Sequence, residues 1–84
     1  MSVDKVVVSV RVSGHWFDSV CESPAEAYEA ASAIYDSPLY KFDDSNKQKS
    51  EIMRSILNIF DGHMIGHHGY LLSIGRYEED EKNG

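Results

Sequence analysis

The stretch from Val3 to Glu22 constrains the fold most, because it reads as a β-hairpin whose register is set by its own turn. Valine stands at 3, 6, 7, 8, 10 and 12, with polar residues at 5, 9 and 11. Such a β-branched alternation suits a strand with one apolar face. Ser13-Gly14 supplies the two central residues of a primed turn, where glycine meets the demand for positive φ. The register then places Val12, Val10, Val8 and Val6 opposite His15, Phe17, Ser19 and Cys21 on an inward face. On the other face Arg11 meets Trp16, Ser9 meets Asp18, Val7 meets Val20 and Lys5 meets Glu22. A guanidinium beside an indole and a lysine opposite a glutamate are both favourable cross-strand pairs.

Ser23-Pro24-Ala25-Glu26 follows directly and has the form of a capping box with proline at the first helical position. It predicts a helix from Pro24 to about Asp36, with Ala27, Ala30, Ala31 and Ile34 as the inner stripe. Pro38 ends that helix, and Leu39, Tyr40 and Phe42 form an aromatic connector expected to plug the end of the core. A second helix is expected from Asp44 or Ser45, where Ser45-Asn46-Lys47-Gln48 repeats the capping spacing, to a stop at Gly62. Its buried face is Ile52, Met53, Ile56, Ile59 and Phe60.

Beyond it, Tyr70 to Tyr77 reads as a strand with Tyr70, Leu72 and Ile74 on one face. Met64 and Ile65 are placed in a short partner strand, with Gly66 to Gly69 as the turn. The expected fold is α+β: an antiparallel three-stranded sheet, extended by this short fourth strand, with two helices on one face in the order β-β-α-α-β. The first strand is central. Residues 1–77 form a single domain and 78–84 an acidic tail, with no apolar residue to hold it down.

With 84 residues and one cysteine, Cys21, the chain has no internal disulfide, which fits a reducing, cytoplasmic setting. No run is long enough to span a membrane and no secretion signal stands at the start. Eight basic against fourteen acidic residues give a net charge of −6, which repels phosphate backbones and disfavours direct nucleic-acid binding. The basic residues Lys41, Lys47, Lys49 and Arg54 are interleaved with Asp43, Asp44 and Glu51, the pattern of a solvated surface.

Chemistry-bearing motifs are few. His63, His67 and His68 lie with Asp61 in a glycine-rich segment and are the weak metal candidates, but no established metal signature surrounds them, and neighbouring His67 and His68 would point opposite ways on a strand. Cys21 could in principle pair with His15 or a loop histidine as nucleophile and base, yet it sits on the inward face beside Glu22, the setting of a core thiol. Asp43 and Asp44 read as helix-capping carboxylates. No phosphate loop, nucleophile elbow or dinucleotide fingerprint is present. The expectation is a chain without catalytic residues, cofactor or metal.

The face that carries Val7, Arg11, Trp16 and Val20 is the notable one, since two helices on one side of the sheet leave the other open. Aromatic residues and arginine are the composition of protein interfaces. In size, acidity and lack of a catalytic signature the chain resembles the compact inhibitors encoded by phages and mobile elements, of which anti-CRISPR proteins are one class. The resemblance is one of composition and implies a partner that is another protein. The leading expectation is thus a non-enzymatic inhibitor or regulator, with Val7, Arg11, Trp16, Val20, Glu26 and Glu29 as protein-binding residues. Glu22, Glu26, Glu29 and Glu78 to Glu81 suggest a nucleic-acid-binding partner whose phosphate ligand they imitate. The alternatives are a metal-dependent enzyme or carrier built on the histidine segment, and a homodimer through the open face.

Overall fold

The computed structural model describes residues 3–77. In chain order these form β1 (Val6–Val12), β2 (His15–Cys21), α1 (Pro24–Ser32) continued by a 3₁₀ turn (Ala33–Asp36), α2 (Ser45–Phe60), β3 (Gly66–His68) and β4 (Leu72–Arg76). The four strands make one sheet in the order β2-β1-β4-β3, antiparallel throughout. The α+β class, the central place of β1 and the fourth short strand are as expected from sequence. The acidic tail 78–84 lies outside the described residues.

The opening hairpin has the register that its turn demands. Ser13 and Gly14 both take positive φ, 52° and 83°, which is the primed turn whose twist matches that of the flanking strands. The pairs run from Val12 with His15 to Val6 with Cys21. On its other side β1 pairs with β4, Val8 opposite Ile74 and Val10 opposite Leu72, which settles the direction of the last strand. The inward row of the sheet is therefore Val6 and Val8 with Cys21, Leu72 and Ile74, all buried.

Helix α1 begins with the predicted box. The Ser23 hydroxyl accepts from the Glu26 amide at 3.2 Å, and the Glu26 carboxylate accepts from the Glu22 amide at 2.8 Å. The reach back thus goes one residue beyond the cap itself. Ala27 and Ala31 are fully buried, and their small side chains let α1 lie directly on β1. Helix α2 contributes Ile52, Ile56, Ile59 and Phe60, each worth roughly 1.5–3 kcal/mol when taken out of water.

Its two ends differ. At the start the cap is Asp44, with no side-chain hydrogen bond to the helix, and Ser45 is already helical, so the second capping box does not form. At the end the Gly62 amide bonds the Ile59 carbonyl at 3.1 Å and the His63 amide bonds the Asn58 carbonyl at 2.9 Å. With Gly62 at φ 83° this is a Schellman cap.

Three further expectations are corrected. Phe17 faces the helix side, opposite Val10, but is 57 % exposed, and Val12 and Val10 are only half-buried. The molecule is 42 Å long, and the distal half of the hairpin runs past the helices that would have covered it. The short strand is Gly66–His68, not Met64-Ile65, and its turn is residues 69–71. Gly66 is required there, because a Cβ would stand 2.7 Å from the Ile74 carbonyl oxygen. Tyr70 is in that turn and exposed, so it does not share the inward row with Leu72 and Ile74.

Candidate protein-binding face

Both helices pack on one side of the sheet, and among the described residues no element covers the other. The register puts Val7, Ser9 and Arg11 of β1 there, beside Val20, Asp18 and Trp16, and Lys5 meets Glu22 just beyond the paired residues. Trp16 is 47 % and Val20 51 % exposed. Val7 and Arg11 are half-buried between their neighbours in the sheet. Four of the six expected binding residues are thus brought together on one surface.

Arg11 organises the turn end of that surface. Its guanidinium carbon lies 6.0 Å from the centre of the Trp16 ring and 5.6 Å from that of Tyr70. The first contact is the expected cross-strand pair. The second comes from the loop before β4, and the only sequence sign of it was an aromatic residue among glycines and histidines. At the other end of the same face the Lys5 ammonium sits 5.7 Å from the Tyr77 ring and 4.0 Å from the Glu22 carboxylate. The result is an aromatic and cationic cluster at each end of the face, a surface that can both bury area and direct hydrogen bonds.

Glu26 and Glu29 are not part of it. They are exposed on α1, in the layer behind the sheet, and the Glu26 carboxylate is committed to the Glu22 amide. Glu78 to Glu81 lie outside the described residues. Of the carboxylates expected to imitate phosphates, Glu26 and Glu29 therefore do not join Trp16 and Arg11, whereas Glu22 lies at the Lys5 end of their face.

The histidines are also dispersed. His67 pairs with Ile74 and so faces the helices, whereas His68 pairs with Ser73 on the open side, where its Nδ1 is 3.1 Å from the Ser73 hydroxyl. His63 caps α2. Among the described residues no three ligand-type side chains converge as a metal site. Cys21 and His15 stand at opposite ends of β2, about 20 Å apart at ordinary strand rise, so they cannot act as a nucleophile and base. Burial, and then the nearby Glu26 carboxylate, push the Cys21 thiol above its ordinary pKa, the opposite of an activated thiolate.

On the helix side an open cleft of about 320 Å³ is lined by Tyr35, Phe42, Gln48, His67 and Leu72 among others. Gln48, His67 and the tyrosines Tyr35 and Tyr70 are its polar side chains. No protein-family model, curated protein or solved structure matches the chain, so the functional reading rests on the arrangement of these surfaces.

Proposed function

We propose that the chain is a non-enzymatic protein-interaction module, an inhibitor or regulator that engages another protein through the open face of its sheet. The observation that carries this reading is the Arg11 guanidinium set against both Trp16 and Tyr70 on a surface that no described element covers. Tryptophan, tyrosine and arginine are the side chains that most often dominate binding energy at protein interfaces, and here they adjoin each other and the exposed Val20. A monomeric fold gains little from leaving such residues in water. The net charge of −6 favours a partner with a basic surface, through encounter rate more than through final affinity.

The test is retention of a partner from a lysate of the native host, or of that host's phage-infected cells, by wild type and by Trp16→Glu and Val20→Glu. A protein held by wild type and lost from both variants, each still folded, supports the reading. A protein held equally by all three contradicts it.

A further inference from the structure

Among the described residues the edge of the sheet at β2 has no neighbouring strand, and the ladder shows which of its backbone groups face outward. The Arg11 amide donates to the Leu71 carbonyl at 2.9 Å, so the backbone of Arg11 faces β4 and its pair with Trp16 is a non-hydrogen-bonded one. In an antiparallel ladder such pairs alternate, which gives Ser9 with Asp18 and Val7 with Val20 the same character. The N–H and C=O groups of Trp16, Asp18 and Val20 therefore point away from β1, along the edge. Their side chains lie in one row on the open face.

We infer that this edge accepts an extended segment of another protein as a fifth strand, with a lysine or arginine placed against Asp18 and apolar side chains against Trp16 and Val20. The inference rests on the interaction-module reading and specifies how the partner is held. Strand addition uses backbone groups for affinity and alternate side chains for specificity, and β2 offers both. Apolar groups flank the edge on its two sides, Trp16 and Val20 on the open face and Phe17 on the helix face, all exposed. An incoming strand covers both sides at once, which a partner resting on the open face alone does not.

Asp18 decides between occupants. Edges of this kind are ordinarily blocked by lysine, proline or a bulge, and β2 has none of these over His15–Cys21. Its one acidic side chain is Asp18, exposed at the middle of the strand. Two copies pairing full length about a twofold axis would set Asp18 against Asp18 of the other copy, an unfavourable like-charge pair, and would bring two chains of net charge −6 together. A strand with a basic residue at that position turns the same carboxylate into an attraction.

The test uses the whole chain against a displayed library of random short peptides, with binding of the selected peptides followed by calorimetry. The expected pool carries lysine or arginine at one fixed position with apolar β-formers two residues to either side. Val20→Pro removes an edge donor without removing a ladder bond and is expected to weaken binding about tenfold or more, the order of one lost hydrogen bond. Asp18→Lys is expected to turn the selected residue to glutamate or aspartate. Peptides that ignore both substitutions, or no selected peptides at all, overturn strand addition. Peptides that ignore both but are lost with Trp16→Glu leave the open face as the binding surface and remove the edge. A wild-type dimer in sedimentation that Val20→Pro makes monomeric identifies a second copy as the occupant and overturns the inference. Should Val20→Pro not fold, protection of the Trp16, Asp18 and Val20 amides from exchange in the peptide complex supports strand addition, and its absence overturns it.

Discussion

The Tyr40 hydroxyl donates to the Arg11 carbonyl oxygen at 3.2 Å and accepts from the Ser13 amide at the same distance. Twenty-nine positions along the chain, the connector between the two helices thus holds the far end of the hairpin. The residue it holds is the one whose guanidinium meets Trp16 and Tyr70. Order on the open face therefore depends on a side chain that is not part of it.

Tyr40→Phe keeps the ring and removes both bonds. A loss of about 1 kcal/mol in urea unfolding is expected, the usual net worth of such partly exposed hydrogen bonds. Amide exchange should quicken at Ser13 and its neighbours and stay unchanged in α2. Equal exchange at the hairpin tip in both proteins would show that the hydroxyl does not anchor it.

Gly66→Ala should separate β3 from β4. The new methyl would meet the Ile74 carbonyl oxygen at 2.7 Å, and backbone cannot yield as a flexible side chain does. A destabilisation of about 1–3 kcal/mol, the range for overpacking, is expected in thermal or urea unfolding. Amide protection should fall most at His67 and Ile74, which pair there.

Ser23→Ala removes the oxygen that caps α1. About 1 kcal/mol of stability should be lost, with Gly at the same position costing less. Circular dichroism through a urea series measures both variants, and an alanine variant as stable as wild type would mean that the box contributes nothing.

Alkaline pH should weaken the fold through Cys21. Its pKa is raised by burial and then by Glu26, so over a range above the ordinary thiol pKa the folded chain keeps a proton that the unfolded chain has lost. Stability from this group is full below that ordinary value and falls as pH rises through the raised one. The urea midpoint should hold between about pH 7 and pH 8 and decline above, near the ordinary thiol range. Cys21→Ala should flatten the first part of that decline, leaving the later part to Tyr35, which burial and Glu51 also push up.

The hairpin was legible because its information is local. Ser13-Gly14 sets the turn, the turn sets the register, and the register places Arg11, Trp16, Val7 and Val20 on one face. The Ser23 to Glu26 box was legible for the same reason. What was not legible depended on distance. Phe17 lies on the expected face but is bare, because periodicity reports direction and not how far the helices extend. Apolarity points to Met64 and Ile65 as the short strand, whereas Gly66 to His68 form it because only glycine allows the close approach at Ile74. Alternation puts Tyr70 on one face with Leu72 and Ile74, whereas its contact with Arg11 is a tertiary pairing that no spacing in the chain reveals. Glu26 was counted as surface charge although the same capping motif already employed it.

The most direct measurement is amide exchange, residue by residue, on the free chain and on its complex with a retained partner. In the free chain Trp16, Asp18 and Val20 should exchange quickly and Phe17 and Ser19 slowly, since only the latter bond to β1. In the complex the three edge amides should become protected while α1 and α2 keep their free-state rates. Protection that appears instead over residues 24–36 or 45–60, with β2 unchanged, would contradict binding through the sheet.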